Sequence, residues 1–347
     1  MKLETVPILS AEGSVLAHTT HQGPVTLKKG CRLSADDLDR LALAGLREVT
    51  VARYEADDVP EDEAASRIAA CLAGPGVRVA PPFTGRSNFH AGHHGLLVID
   101  RAAIEGLNRI HEAVTLATLP PFAPVSPDQI VATAKIIPFA APGGAVAAWE
   151  RAARPLAVAP FVRHRVALVQ TELPGLKPSM LDKTAWLTQE RLAALGSELV
   201  VETRCPHDAA ALAAALRRHA GTAELLLVCG ASAIVDRQDV IPAAIVAAGG
   251  EIMHFGMPVD PGNLLLLARL AGAPVLGLPG CARSPKMNGL DWVLQRLLAR
   301  LPIGREEITA MGVGGLLPDT ISRGLPRETP ARGSTASPMR VFAIEER

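Results

Sequence analysis

Aromatic residues are scarce in this sequence of 347 residues, at 3% of the chain. Proteins that bind single-stranded nucleic acid without sequence preference stack the bases on aromatic side chains. The charge balance points the same way, because 35 Lys and Arg residues equal 35 Asp and Glu residues and leave no uniform positive field for phosphates. We therefore expect no nucleic acid partner, and any anion site must be local.

Paired cysteines, an export signal and long apolar runs are missing as well. The five cysteines stand singly, without the CxxC spacing that builds zinc or redox sites. The N-terminus lacks the charged-then-apolar pattern of a secretory signal, and no apolar run approaches the ~20 residues that span a bilayer. We therefore expect a protein of the reducing cytoplasm with no membrane partner.

What the sequence does have is apolar material and a change of pattern along the chain. Hydrophobic residues make up 48%, which predicts a globular protein of more than one domain. Residues 1–158 mix short β-like runs with helical stretches and are predicted to form an α+β region. Residues 159–306 alternate β-rich runs with helices, which predicts a three-layer αβα domain with a mostly parallel sheet. Residues 307–347 are predicted to form a C-terminal extension and flexible tail, because the stretch 323–338 has no apolar period.

The αβα prediction depends on five strands with helices between them. The strands are predicted at 166–170, 198–202, 224–229, 251–255 and 274–278. The first helix is predicted to begin at Asp182 or Thr184 and to end at Gly196. The last helix has an apolar stripe from Leu290 to Leu301 that should pack on the sheet. In the first region, helices are predicted near 34–45 and 61–72.

The loop after the third predicted strand is a candidate phosphate site. Gly230 and Ala231 let a ligand approach the backbone, and Ser232 offers a hydroxyl donor, at the edge where open α/β sheets bind ligands. The N-terminus of the next helix offers free N–H groups to a phosphate. The alternative is that Asp236 or Asp239 merely caps that helix.

A second candidate loop runs from Pro279 to Lys286, between the last predicted strand and the last helix. Together with Gly280, the side chains of Arg283 and Ser284 could cradle an anion or a pterin-like heterocycle. The alternative is an ordinary loop, since Gly and Pro are common between a strand and a helix.

A third group of polar residues follows the first predicted strand. It consists of Thr171, Glu172, Asp182, Lys183 and Thr184. These residues could place carboxylates beside a phosphate, where Mg²⁺ would be needed to reconcile the negative charges. The alternative is that they are solvated loop residues.

Three histidines lie close together in the first region, at His90, His93 and His94. Imidazole is a common metal ligand, but this spacing matches no standard zinc pattern. A role at the surface or in a turn is the prediction for them.

Four segments of the αβα region resemble the molybdopterin-binding domain of the molybdopterin molybdotransferase (molybdenum insertase) family in both order and spacing. They are LLLVCGAS at 225–232, AGGEI at 248–252, MPVDPGN at 257–263 and PVLGLPG at 274–280. The stretches 11–17, 28–38 and 45–51 also look like segments of that family. The chain is still more similar to the molybdopterin-binding half of two-part proteins whose other half is a nucleotidyltransferase of the molybdenum cofactor cytidylyltransferase type, although no nucleotidyltransferase sequence follows here.

The resemblance implies roles for the candidate loops. The loop 230–239 would receive the phosphate end of the ligand, and the loop 279–284 would help to hold the pterin end. Asp182, Asp236 and Asp239 would be catalytic, with Asp182 and Asp236 holding Mg²⁺. Thr171 and Glu172 would contact the ligand as well.

Two departures from the family bear on activity. The family's usual Lys-Pro-Gly-Lys-Pro is Asp260-Pro-Gly-Asn263 here, so an acid and an amide replace two cations that would attract molybdate. The usual Gly-Gly-Val-Ser-Val-Gly is also altered, to Gly230-Ala-Ser232-Ala-Ile-Val. Binding of the cofactor is therefore better supported by the sequence than catalysis.

The resemblance implies a transferase that handles molybdopterin or adenylyl-molybdopterin, with molybdate as the second substrate, as a homo-oligomer. Two alternatives stay open. One is a non-catalytic carrier that passes the cofactor to a partner nucleotidyltransferase. The other is a nucleotide pyrophosphatase of the competence-damage-inducible type, which is similar to the same α/β domain.

Overall fold

The computed structural model describes residues 1–315. The part of the predicted flexible tail at 316–347 lies outside the described residues. The predicted domain boundaries at 158 and 306 stay predictions.

The first region, up to Pro160, is built from several small antiparallel sheets. Its strands are β1 Lys2–Pro7, β2 Val15–Leu16, β3 Thr20–Gln22, β4 Val25–Leu27, β5 Glu48–Arg53, β6 Asp58–Pro60, β7 Val77–Val79, β8 Arg86–Ala91, β9 Gly95–Val98, β10 Val114–Thr118, β11 Pro124–Val125, β12 Ile130–Ile136, β13 Ala140–Pro142 and β14 Ala157–Pro160. Its helices are α1 Ala35–Leu43, α2 Glu61–Leu72, α3 Arg101–Asn108 and α4 Gly143–Ala152. The described sheets have the orders β1-β5-β2, β3-β4, β10-β12-β8-β7, β11-β9-β14 and β13-β6.

The two helices predicted in this region are confirmed. α1 starts at a capping box in which the Ser34 hydroxyl accepts a hydrogen bond from the Asp37 N–H and the Asp37 carboxylate accepts one from the Ser34 N–H. α2 begins at Glu61 as predicted and packs Ile68 and Leu72 into a core that also holds Trp149. Neither α3 nor α4 is predicted from the sequence; α4 opens on two glycines, which favour helices weakly.

The second region contains a six-stranded sheet with helices on both faces, which confirms the mixed α/β fold with a mostly parallel sheet. Its elements are β15 Arg165–Glu172, α5 Pro178–Ala194, β16 Glu198–Pro206, α6 Ala209–His219, β17 Leu225–Cys229, α7 Val240–Ala247, β18 Glu251–Phe255, β19 Leu266–Leu270, β20 Ala273–Leu278, α8 Gly289–Leu298 and α9 Arg305–Thr309. The strand order is β16-β15-β17-β20-β19-β18.

Alternation along the central strand builds two cores, one for each face of the sheet. Leu225 and Leu227 of β17 pack with α5 and α8, while Leu226 and Val228 pack with α6 and α7. Successive side chains of a strand point to opposite faces of the sheet. Because β17 is apolar throughout, it is buried on both faces. The layers are therefore helices, sheet and helices.

Strand β19 is absent from the sequence prediction. It pairs antiparallel with both of its neighbours, β18 and β20. Its segment is a short run of leucines, which periodicity alone does not assign to a strand or a helix. A two-residue turn joins β19 to β20, and both of its residues, Ala271 (φ 48°) and Gly272 (φ 84°), have positive φ. This is the turn geometry that matches the twist of a hairpin.

The predicted start of the first helix is wrong. α5 begins at Pro178, before both Asp182 and Thr184, because proline is favoured in the first turn of a helix. Thr184 is buried inside the helix, and its hydroxyl donates to the Met180 carbonyl at 2.8 Å. The predicted end is confirmed, since Gly196 follows the helix with φ 72°. The helix predicted from the stripe Leu290–Leu301 is α8, which ends at Leu298, so Leu301 lies beyond it.

A buried histidine should make the stability of this sheet depend on pH. His219 ends α6 and is 7% exposed, with Nε2 at 2.8 Å from the Thr203 hydroxyl of β16. Burial, assisted by Arg218, lowers the pKa of His219. The unfolded chain therefore takes up the proton first, at a pKa of about 6.5. The contribution of neutral His219 to the free energy of unfolding is fully present above that pH. It is lost as the pH drops through about 6.5 toward the lower pKa of the folded state.

We expect the urea midpoint of the parent protein to be lower at pH 5.5 than at pH 7.5. His219→Gln should keep a polar partner for Thr203 and reduce this fall. Each protein serves as its own control, because its urea midpoint is measured at both pH values. An equal fall in the variant would exclude His219 as a source of the dependence.

Candidate functional site

The carboxyl ends of β15, β16, β17 and β20 meet at one edge of the sheet, because these four strands are parallel. The three candidate loops of the sequence therefore leave the sheet at the same edge. We call this edge the carboxyl edge; it includes Thr171 and Glu172, which end β15 and do not follow it as predicted, and the loops 173–177, 207–208, 230–239 and 279–288. Ligands of open α/β sheets bind at such an edge.

Thr171 of β15 contacts the loop after β16 and the loop after β17. Its side chain is buried, and its Oγ1 accepts a hydrogen bond from the Ala231 N–H at 2.8 Å. The same oxygen lies 2.8 Å from Nδ1 of His207, and the His207 N–H donates to the Glu172 carbonyl at 2.8 Å. Thr171 thus fixes the backbone of the loop 230–239, and its hydroxyl is engaged by protein groups.

The loop 230–239 is organised by two carboxylates. Asp239 Oδ2 accepts from the Val235 N–H at 2.6 Å and from the Asp236 N–H at 2.9 Å, and Asp236 Oδ1 accepts from the Gln238 N–H at 2.7 Å. The two N–H groups lower the pKa of the Asp239 carboxyl, with a further contribution from nearby His207. Asp239 stands at the N-cap position of α7, yet its side chain makes no capping bond to the helix.

Gly230 is required by a close approach. A Cβ at this position would lie 2.7 Å from the Ser232 carbonyl oxygen and 2.8 Å from Cδ1 of Ile241. The tight turn leaves Ser232 exposed, with its hydroxyl donating to the Ala233 carbonyl at 3.3 Å. Ser232 and the uncapped start of α7 are therefore available to a ligand.

Arg283 connects the two main loops. Its guanidinium donates to the Gly230 carbonyl at 2.9 Å, and its buried Nε has no acceptor among the described residues. It also lies against the Cys229 thiol, whose pKa is raised by burial and lowered in part by Arg283. A half-buried cation with an unused donor at the carboxyl edge suits an anionic ligand.

Arg191 of α5 stabilises the loop 279–288 by hydrogen bonds to its backbone. It donates to the Ala282 carbonyl at 2.6 Å and to the Ser284 carbonyl, and its Nε lies 3.0 Å from Oδ1 of Asp291. The backbone of Ser284, predicted as a ligand contact, is fixed by this arginine. Pro279 and Gly280 begin the same turn, a short 3₁₀ segment over Gly280–Arg283.

Arg191 and His207 are absent from the sequence prediction. A signal for Arg191 did exist, because it continues the buried stripe of α5 that includes Thr184, Leu187 and Thr188, and a charge on a core-facing stripe needs a partner. No comparable signal marks His207, whose contact depends on β16 lying beside β15.

Asp182 lies on the other side of β15 from the loop 230–239, beside β16. Its Oδ1 accepts from Arg204 at 2.6 Å, and Arg204 also donates to Glu202 at 2.7 Å. Glu202 and Asp182 raise the pKa of Arg204. As they stand, Asp182 and Asp236 do not fit a shared Mg²⁺ site, since Asp182 is held by a cation and Asp236 belongs to the loop after β17. The catalytic and metal roles of these aspartates stay predictions.

Other predicted site residues have ordinary surroundings. Glu172 and Lys183 are exposed. His90 lies 2.9 Å from the Asp128 carbonyl, and the His94 ring packs edge-on against Phe161 at 4.9 Å. Within residues 1–315, no group of three or more His, Cys, Asp or Glu side chains could hold a metal ion. In the same part of the chain, no helix combines the length and the apolar character needed to cross a membrane.

Comparison with known proteins gives limited matches. A family described as a domain of unknown function (DUF8806) matches residues 5–53. No curated protein matches the chain.

Three of the similar solved structures come from molybdenum cofactor biosynthesis. A molybdenum cofactor biosynthesis protein from Pyrococcus furiosus is 13% identical with a TM-score of 0.24, over 86% of this chain and 64% of that one. A molybdopterin biosynthesis MoeA protein from Pyrococcus horikoshii is 14% identical with a TM-score of 0.31, over 86% and 75%. A molybdenum cofactor biosynthesis protein B is 16% identical with a TM-score of 0.29, over 41% and 96%. The chain thus spans less than two thirds of the first of these proteins, and at such scores the likenesses carry no argument about activity.

Proposed function

We propose that this protein binds molybdopterin or its adenylylated form at the carboxyl edge and serves in molybdenum cofactor biosynthesis. The observation that carries the proposal is the joining of the candidate loops by Thr171 and Arg283. Two of these loops, at 230–239 and 279–288, overlap segments whose sequence resembles a molybdopterin-binding domain. Their donors suit a phosphate, since Arg283 and the uncapped start of α7 offer N–H groups to an anion.

The two ends of the ligand are assigned to different loops. The phosphate end is assigned to Gly230–Asp239, with Ser232 and the N–H groups at the start of α7 as donors. The pterin end is assigned to the loop that contains Pro279, Gly280 and Ser284, which Arg191 holds in shape. Arg283 lies between the two loops and would contact the ligand at their junction.

A carrier role is favoured over metal-assisted transfer by the contacts of three aspartates. Asp182 is engaged by Arg204, and Asp236 and Asp239 accept backbone N–H groups of their own loop. Asp236 and Asp239 therefore stabilise their own loop, and Asp182 pairs with a cation of β16. The protein would then hand the cofactor to a partner nucleotidyltransferase.

The test is the identity of the ligand that the purified chain carries. We expect mass spectrometry to find a phosphate-bearing pterin on protein from a host that makes the cofactor, and none on protein from a host that lacks the pathway. Absence of a pterin in both preparations would contradict the proposal.

Turnover separates the three candidate roles. Adenylyl-molybdopterin and molybdate should release AMP if the protein is a transferase and should be retained unchanged if it is a carrier. Hydrolysis of ADP-ribose without pterin binding would instead support the nucleotide pyrophosphatase alternative.

The loop at Asp260 and Asn263 should weaken the encounter with molybdate. Both residues are exposed. Burial raises the pKa of the Cys281 thiol in the loop 279–288, and the carboxylates of Asp291 and Asp260 add to the rise, which places Asp260 near that loop. We expect Asp260→Lys with Asn263→Lys to lower the molybdate concentration for half-maximal uptake by pterin-loaded protein about tenfold, because charges at contact distances in water contribute about 1 kcal/mol each.

The control is Asp36→Lys, an exposed acid on α1 far along the chain. It should leave molybdate uptake unchanged, and all three proteins should retain the pterin. Efficient uptake by the parent at low molybdate, with no gain from the two lysines, would contradict this prediction and favour the plain transferase role.

A further inference from the structure

The outer edge of β16 is open. Within residues 1–315, this strand of nine residues pairs only with β15. The unpaired N–H and C=O groups of such an edge can pair with another strand. Most of β16 is exposed or half-buried, and Cys205 is its buried residue.

A groove runs along this open edge, between β16 and α5. Its volume is about 440 Å³, and its lining includes Asp182 and Trp186 of α5 with Val200, Glu202 and Arg204 of β16. Trp186 is 58% exposed and Val200 is 36% exposed. Exposed apolar side chains beside an unpaired strand are typical of a surface that is covered by a partner.

The charges of β16 are self-complementary. Glu202 and Arg204 lie on the α5 face of the strand, since they contact Gln170 and Asp182, whereas Thr203 lies on the α6 face and contacts His219. If two copies of β16 run antiparallel with Thr203 opposite Thr203, each Glu202 stands directly opposite an Arg204. The opposite charges then meet twice on the same face of the joined sheet.

We propose that β16 pairs with β16 of a second copy of this chain, about a two-fold axis at Thr203. The two six-stranded sheets become one continuous sheet, and the two Glu202–Arg204 contacts form across the axis. Trp186 of each copy then covers the neighbouring strand. A two-fold contact of this kind uses the same surface on both partners, as most homodimer interfaces do. This inference does not depend on the proposed function.

Sedimentation velocity of the full chain tests the pairing. We expect a dimer for the parent. Glu202→Arg or Arg204→Glu should raise the dimer dissociation constant at least about tenfold, because each reversal sets like charges opposite each other twice. An equimolar mixture of the two variants should recover the dimer, and so should the double variant, since both restore opposite pairs.

A control variant and a second test variant separate loss of pairing from misfolding. Arg101→Glu reverses an exposed charge on α3 and should dimerise like the parent. Trp186→Ala should weaken the dimer without changing any charge on β16, and circular dichroism should report the same fold for all variants.

Several results would overturn the proposal. They are a parent that stays monomeric at high concentration, single reversals that dimerise normally, or a mixture that fails to recover the dimer. Hydrogen exchange adds an independent measurement, because the β16 amides should be protected more strongly as concentration rises. Equal protection of the β16 amides in the parent dimer and in a dissociated reversal variant would mean that the same chain covers this edge, and it would contradict the pairing.

Discussion

Arg283→Ala is expected to weaken binding of a phosphate-bearing pterin roughly 10- to 100-fold, because a hydrogen bond to a charged group contributes about 1.5–3 kcal/mol. The guanidinium already donates to the Gly230 carbonyl and retains a buried donor with no acceptor among the described residues. Its removal takes away a cation at the carboxyl edge and loosens the junction of the two loops. Titration followed by pterin fluorescence measures the effect.

Matched variants separate charge from geometry. Arg283→Lys keeps the positive charge but loses the planar fork of the guanidinium, so its affinity should fall between those of the parent and the alanine variant. Arg300→Ala removes an exposed arginine from the opposite end of the sheet, near His164 and Glu224, and should leave affinity unchanged. Equal affinities for all four proteins would remove Arg283 from the ligand site.

Leu294→Ala is expected to lower the free energy of unfolding by about 2–5 kcal/mol through the cavity that it leaves. Leu294 is 2% exposed on α8, in the core that α8 shares with α5 and the sheet. Close-packed neighbours relax only partly around such a cavity. Urea denaturation of parent and variant at the same pH gives the difference.

Leu43→Ala is the matched control for this cavity. The same atoms are removed from a leucine that is 89% exposed on α1, so unfolding should change by less than about 0.5 kcal/mol. If Leu294→Ala also changed the midpoint this little, α8 would not be packed on the sheet in solution.

The sequence predicted the αβα half of the fold well, because its signals are local. A run such as Leu225–Cys229 is apolar on both faces. The side chain of Asp208 caps the start of α6, and Gly196 follows the end of α5 with a positive φ that glycine adopts readily. The start of α5 and the strand β19 were not predicted, because at both places the sequence allows two interpretations. Pro178 outweighed the capping residues, and a leucine run fits a strand as well as a helix.

The candidate site was predicted only in part. The glycines and the donors of the loops at 230 and 279 are visible in the sequence because turn residues carry their own signature. The sequence did not indicate that the Thr171 hydroxyl is already engaged, that His207 reaches it, or that Asp182 meets Arg204. These contacts join residues from different strands, and strand order is not encoded in periodicity.

The hairpin of β19 and β20 bears on how the sheet assembles. The two strands meet across the turn at Ala271 and Gly272, whereas β15 pairs with β17 only after α5, β16 and α6 have been traversed. Short loops cost less entropy to close than long ones, and local contacts form faster than distant ones. The physics of loop closure therefore favours a folding order that starts at the hairpin and adds the parallel strands outward, so that the carboxyl edge is completed late.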